Sequence, residues 1–417
     1  LHGGAKVFKR KLNRFNRIGH EELNAATKVL KTGILSDYIA AKGPNFLGGK
    51  KVREFEKKCE KFFKVKYAIT VNSWSSGLTA MVGAIGIEPG DEIIVSPWTM
   101  CASASAILHW NAIPVFADIS MDDYNLDPKS IEKNISKYTK AIMVVDIFGQ
   151  SAKMDEIKKI ANKYKLKIIS DTAQAIGAKY HKKFAGTLGD VGGYSLNYHK
   201  HIHTGEGGIV VTNNPSIANK VRLIRNHAEA IIKSNNKNIL SNMIGYNFRL
   251  GEIESAIGIE QLKKLPSILK ERKQLCKKLI ISLKELNGLK FANYSDKIDH
   301  VFYSFPIQLN KSIIKVKRRK IVNALKAEGI KINEGYTNLH LLPMYQNKIA
   351  YGSNGFPWNS SICKREVSYA KGICPNAELL NNETFMSIGI SEYDYNIRDI
   401  DYIIKGFKKV WLNLDRL

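Results

Sequence analysis

Apolar residues recur along this chain in two rhythms. Over residues 20–31 and 52–63 they return every three or four positions, the spacing of an amphipathic helix; in the second stretch Phe55, Cys59, Phe62 and Phe63 fall on one face. Gly33 stops the first of the two. From residue 67 onward, short apolar runs at 67–71, 92–95, 113–117, 141–147 and 166–171 alternate with helical spacing at 77–87, 101–110, 130–135 and 154–164. Two further runs, 193–196 and 208–212, read as strands. Strands with so few polar interruptions belong in a sheet covered by helices on both faces. The pattern therefore predicts an α/β fold with a mostly parallel central sheet, whose ligands bind beyond the carboxyl ends of the strands.

The rhythm changes after residue 262. Residues 266–286 predict a long, Lys-rich amphipathic helix, and the later strands, such as 301–309, are short and separated. Three parts are expected: an N-terminal arm over 1–19, basic and opened by Gly3-Gly4; a large unit over 20–265; and a smaller α+β unit over 266–417. There is no internal repeat and no low-complexity linker.

Composition narrows the class. At 417 residues the chain is long enough for two units with a sizeable core. No apolar run approaches the ~20 residues that cross a bilayer, and no N-terminal stretch reads as a signal peptide, so the expected location is the cytoplasm. Cys59, Cys101, Cys276, Cys363 and Cys374 form an odd set without a Cys-x-x-Cys pair, which argues against a disulfide framework or a structural zinc. Lysine and arginine number 64 against 38 acids, a net charge of +26. Nucleic-acid readers gather such charge on one element. Here it is spread along the chain, with short clusters such as 315–320, so the better reading is a Lys-, Ile- and Asn-rich composition on a solvated surface; the functional alternative is attraction of small anionic substrates, such as phosphates, into a basic cleft.

Three stretches carry chemistry. In residues 71–77, Val-Asn-Ser-Trp-Ser-Ser-Gly, serines sit between a strand and a helix; such a turn is either an ordinary N-cap or an anion cradle. In residues 168–174 an apolar strand runs into Asp171, which either caps a helix or faces a ligand. In residues 195–208, Lys200 stands among aromatic and histidine residues before a Gly-rich turn. A crowded lysine of this kind has a lowered pKa and serves as a nucleophile. The rival reading there is a metal site: His199, His201 and His203 alternate, and an extended backbone would place them on one face.

The order of these pieces resembles the DegT/StrS family of sugar aminotransferases. The family pattern has counterparts at 72–78, 96–103, 171–177, 195–208 and 245–250, strongly over residues 20–265 and weakly beyond. The resemblance implies pyridoxal 5'-phosphate as cofactor and the three-layer α/β/α architecture of fold-type I aminotransferases. It implies Lys200 as the Schiff-base lysine, Asp171 as partner of the pyridinium nitrogen and Gln174 beside the ring's phenolic oxygen. Ser75, Ser76 and Ser195 match the phosphate cradle, and Asn247 an asparagine that reaches the phosphate from the neighbouring subunit of a homodimer. No metal is expected. Three departures stand out: Met100 replaces the stacking aromatic, Trp74-Ser75 replaces Gly-Thr, and Asp146 stands where a histidine often precedes Phe148-Gly149-Gln150.

The implied reaction moves an amino group from glutamate or glutamine to a keto sugar, nucleotide-linked as in most of the family. A smaller phosphorylated or free cyclic ketone is the other acceptor class, since the Gly3-Gly4 arm resembles branches acting on such rings. The rivals within the fold are a sugar dehydratase, in which a histidine replaces the lysine, and a regulator that keeps the fold without the activity. Lys200 and Asp171 are both present, which favours the aminotransferase.

Overall fold

The computed structural model describes residues 4–41, 43–228, 243–292 and 296–417; Gly3 of the arm lies outside them. The first part runs α1 (His20–Leu30), α2 (Lys50–Phe63), β1 (Tyr67–Val71), α3 (Trp74–Ala84), β2 (Glu92–Val95), α4 (Cys101–Leu108), β3 (Ile113–Phe116), α5 (Pro128–Asn134), β4 (Thr139–Val145), α6 (Met154–Tyr164) and β5 (Lys167–Asp171). A small hairpin, β6 (Lys179–Tyr180) and β7 (Lys183–Phe184), precedes β8 (Val191–Ser195), β9 (Gly208–Thr212) and α7 (Pro215–Arg225). The seven-stranded sheet has the order β1-β9-β8-β5-β4-β2-β3. Only β9 runs against its neighbours; the other pairings are parallel, as the uninterrupted apolar runs require.

Register decides what meets at the sheet's carboxyl edge. Val145 of β4 lies beside Asp171 of β5, and Asp171 lies beside Gly193 of β8. Gly208 of β9 lies between Ser195 of β8 and Val71 of β1. The ends of β1, β4, β5 and β8 therefore open onto one edge. Helix α3 starts there, three residues earlier than the apolar rhythm predicts, because Ser73 caps it by accepting the Ser76 N–H at 3.1 Å. Ser75 and Ser76 thus belong to its first turn.

The second part begins inside α8 (Glu252–Leu283), a single helix rather than one that starts at Pro266. An interior proline costs ~3 kcal/mol by removing a hydrogen bond and crowding the preceding turn. Buried Leu262, Leu265, Ile268 and Leu269 surround it, each contributing ~1.5–3 kcal/mol, and hold the helix together. The front of α8 packs with Phe55 and Phe63; from Leu275 on, its buried face joins Phe305 and Phe407. We keep the 265/266 boundary as a proposal, with α8 running through it.

Beyond α8 come β10 (Leu289–Phe291), β11 (Ile298–Asp299), β12 (Phe305–Leu309), α9 (Arg318–Ala327), β13 (Asn333–Glu334), α10 (Pro343–Gln346), α11 (Pro375–Leu379), β14 (Phe385–Ile388) and α12 (Ile397–Trp411). Strands β10, β12, β14 and β13 form an antiparallel sheet in that order, while β11 joins the β6–β7 hairpin. Leu339, Tyr345, Trp358, Tyr369 and Leu380 return to pack in the large core. The N-terminal arm lies on the smaller sheet's side of the molecule: Phe8 is buried in that core and its N–H donates to the Glu328 carbonyl at 2.9 Å.

One buried ion pair ties α2, β1 and α7 together. Glu56 accepts from Arg225 Nη1 at 2.6 Å and from the Thr70 N–H at 2.9 Å, and Arg225 also donates to the Thr70 carbonyl at 3.0 Å. Arg225→Met leaves an unpaired buried carboxylate and should cost about 3–5 kcal/mol, read as a lower urea midpoint. Adding Glu56→Leu should recover most of that loss. A single variant as stable as the parent would contradict the clamp.

Candidate active site

A cavity of about 280 Å³ opens at the sheet's carboxyl edge. Ser75, Met100, Asp171, Gln174, Ser195 and Lys200 line it, converging from α3, the α4 start, the end of β5, the end of β8 and the turn that follows it. Ser76 and Asn247 do not line it. Ser76 Oγ turns to Ser73 Oγ at 2.9 Å, and Asn247 is exposed, its Oδ1 accepting from Arg249 Nε at 2.8 Å.

Asp171 is 3% exposed and holds its carboxylate against donors from three directions. Oδ1 accepts from the Trp74 indole N–H at 2.7 Å and from the Ala173 N–H at 3.2 Å; Oδ2 accepts from Ser103 Oγ at 2.6 Å. Thr99 Oγ1 lies 2.6 Å from Ser103 Oγ. Because the Ser103 proton goes to Asp171, Thr99 donates to Ser103.

Lys200 is 8% exposed, and among the described residues no carboxylate pairs with it. Its Nζ lies 4.7 Å from the centre of the Tyr303 ring. Burial pushes its pKa down to about 8 from 10.5, and the charge of Asp171 opposes that shift without cancelling it. At pH 7 a pKa of 8 leaves ~10% of the amine neutral, against ~0.03% for an ordinary lysine. His199 also lines the cavity, and burial with the nearby Lys200 charge lowers its pKa to about 4.

At the α3 end, Trp74 and Ser75 are the first two helical residues, whose N–H groups have no acceptor within the helix. With the Ser75 and Ser195 hydroxyls they make a site for an anion. On the other side, Gln174 Oε1 accepts from the Phe148 N–H at 2.8 Å, and Gln174 Nε2 lies 3.4 Å from the Tyr336 hydroxyl. Phe148 has a φ of 57°, unusual for a bulky residue, and the turn it makes receives the 301–304 segment: Val301 N–H donates to Gly149 at 2.8 Å and Ser304 N–H to Phe148 at 3.2 Å. That contact delivers Tyr303 to the cavity.

The remaining residues separate. Met100 is 66% exposed at the cavity wall. Trp98 is fully buried behind it, donating to Asn338 Oδ1 at 2.7 Å and packing on Phe385 and Tyr336. Asp146 is also behind the wall. It accepts from Thr172 Oγ1 at 2.6 Å and the Ala152 N–H at 2.9 Å, and burial raises its pKa to about 7. Residues 198–202 are turns and bends and 203 is irregular, not a strand, so the alternating histidines do not share a face. His199 faces the cavity, His201 is buried, and His203 Nδ1 accepts from the Gly205 N–H at 3.3 Å. Among the described residues no cluster could hold a metal ion. Trp74, Thr99, Ser103, Tyr303 and Tyr336 join the site without having been picked out as site residues. Trp74, Thr99 and Ser103 lie within the matched stretches 72–78 and 96–103, whereas Tyr303 and Tyr336 carry no local signal.

The family described as DegT/DnrJ/EryC1/StrS aminotransferase matches residues 18–376. GDP-perosamine synthase of Caulobacter vibrioides is 34% identical over 303 residues, covering 71% of this chain and 79% of that protein. Helicobacter pylori PseC, an aminotransferase of pseudoaminic acid biosynthesis, superposes with a TM-score of 0.79 at 25% identity, over 97% of this chain and all of the other. A GDP-4-keto-6-deoxymannose-3-dehydratase with a trapped PLP–glutamate adduct gives 0.76 at 25% identity, over 94% and 99%.

The unpaired amine yields a direct expectation. Apoprotein should capture pyridoxal 5'-phosphate at a rate that rises with pH with a midpoint near 8, because only the neutral amine attacks the aldehyde. Borohydride should then fix the cofactor to the peptide containing Lys200. A midpoint near 10.5, or label on another lysine, would contradict the assignment.

Proposed function

This chain belongs to the DegT/DnrJ/EryC1/StrS aminotransferase family and uses pyridoxal 5'-phosphate, and we propose that it moves the amino group of glutamate or glutamine onto a nucleotide-linked keto sugar. The observation that carries the reading is Lys200, a buried and unpaired amine that shares one cavity with the acid Asp171 and the α3 anion site. The nucleotide link rests on the GDP-sugars that name two of the similar proteins.

Bound pyridoxal 5'-phosphate supplies an electron sink for the carbon that carries the transferred nitrogen. The residues divide the remaining work. Asp171 keeps a proton on the ring nitrogen, so the sink stays strong. The α3 N–H groups, Ser75 and Ser195 would hold the phosphate, with Ser76 supporting them through Ser73. Gln174 and the Met100 thioether, both in the cavity wall, would hold the ring, a thioether–aromatic contact being worth ~0.3–1.5 kcal/mol. Lys200 Nζ takes a proton from the donor's α-carbon and returns one to the acceptor's former carbonyl carbon, for which a pKa of about 8 suits it. The dehydratase reading is less favoured, because its defining change is loss of the lysine that this chain keeps.

The working unit we propose is a homodimer with shared sites. Asn247 does not line its own chain's cavity and pairs in a bridge with Asn226, whose side chain donates to the Ile39 carbonyl at 3.0 Å. Leu35, Ile39 and Ile244 leave apolar side chains exposed in this region, where a second copy would cover them.

Two experiments test the proposal. Purified protein should convert a nucleotide-linked keto sugar to its amino product with glutamate or glutamine, seen by mass spectrometry. Amination only of free cyclic ketones would replace the acceptor class, and dehydration without amination would overturn the reaction. For the shared site, Lys200→Ala and Asn247→Asp, each inactive, are refolded together. Random pairing should restore up to about a quarter of wild-type activity, because half the dimers are mixed and each has one intact site. A mixture as inactive as either variant, when wild type survives the same treatment, would show that Asn247 does not act across the interface.

A further inference from the structure

We infer that Trp74 is a positioning residue for Asp171: its indole N–H turns the carboxylate so that the acceptor position left free belongs to Oδ2, where the cofactor's ring nitrogen is to be held. The inference rests on the proposed pairing of Asp171 with that nitrogen and goes beyond it, because the family pattern to which the resemblance points has glycine at this position.

An ionised carboxylate offers about four acceptor positions, two on each oxygen. Oδ1 receives two donors, the Trp74 indole and the Ala173 N–H. Oδ2 receives one, the Ser103 hydroxyl. Among the described residues nothing else donates to this side chain, so the fourth position remains, on Oδ2, in a residue that lines the cavity. Without the indole, Oδ1 would have an open position too, and the carboxylate could offer either oxygen to the ring. The Trp74 indole therefore contributes orientation, while the contact with the ring nitrogen belongs to Asp171.

The ring's place is built in. A Cβ on Gly193 would come within 2.8 Å of the indole, and one on Gly77 within 3.1 Å, so two glycines leave the space that the indole fills. Trp74 is 7% exposed and packs in the large core. The other four tryptophans donate their indole N–H to neutral oxygens: Trp98 to Asn338, Trp110 to Thr79, Trp358 to Tyr369 and Trp411 to Asn287. Trp74 alone of the five donates to a carboxylate, and hydrogen bonds to charged groups are the stronger kind.

The test compares Trp74→Phe with Trp74→Gly, using Asp171→Asn as control. Phenylalanine keeps most of the volume and loses the N–H. We expect Trp74→Phe to bind pyridoxal 5'-phosphate about ten- to a hundredfold more weakly, the effect of losing one hydrogen bond to a buried charge. The circular dichroism of the bound cofactor, which reports a fixed ring orientation, should weaken, and kcat should fall with little change in KM for the donor. A space-filling role predicts instead that Phe behaves as wild type and only Gly is impaired; that result overturns the inference. If Asp171→Asn leaves cofactor affinity and dichroism unchanged, the parent pairing itself fails. Should Trp74→Phe not fold, wild-type protein labelled with ¹⁵N at its indoles decides the matter. The indole resonance displaced by Asp171→Asn should also be the one that moves when pyridoxal 5'-phosphate is added, and an unmoved resonance overturns the proposal.

Discussion

A carboxylate buried at the end of a central strand is the constraint from which the rest of this site follows. Left without donors, such a charge would cost several kcal/mol, so the elements around it are arranged to supply them. Helix α3 brings Trp74, α4 brings Ser103 with Thr99 behind it, and the turn after β5 brings the Ala173 N–H. The same arrangement sets the starts of α3 and α4 on either side of Asp171. Fixing the acid thus also shapes the cavity, because the α3 start carries the anion site and the α4 start carries Met100.

Lys200 is the counterpart to this well-satisfied acid. The two residues share a cavity without forming an ion pair, which matters because direct pairing would hold the amine as an ammonium. Burial acts against the ammonium and the more distant Asp171 charge acts for it; burial wins, and the pKa settles at about 8. The lysine is therefore poised to gain or lose a proton near neutral pH. The acid, meanwhile, is held by neutral donors that leave its charge available to a ring.

Much of the scaffold was legible because buried parallel strands print themselves as uninterrupted apolar runs. Strands 67–71, 92–95 and 208–212 and helix 154–164 have the bounds that the pattern predicts. Asp171 and Lys200 were legible because each follows such a strand in a short, unusual context. Three things were not. Helix α8 runs through Pro266 because packing on both sides outweighs a local signal that reads as a start. Tyr303 and Tyr336 arrive from the second part of the chain through contacts with the Phe148 turn and Gln174, which no local pattern encodes. Trp74 was visible as a departure from the family's glycine, but the direction of its N–H depends on Gly77 and Gly193 leaving room for the ring, a fact of packing.

The central claim is that Asp171, so fixed, keeps the cofactor's ring nitrogen protonated. The most direct measurement is ¹⁵N NMR of the protein loaded with pyridoxal 5'-phosphate labelled at that nitrogen, followed across the pH range in which the protein stays folded. The account predicts a protonated nitrogen throughout, and loss of that state in Asp171→Asn. A nitrogen that titrates as it does in free cofactor, or one indifferent to Asp171→Asn, would contradict it.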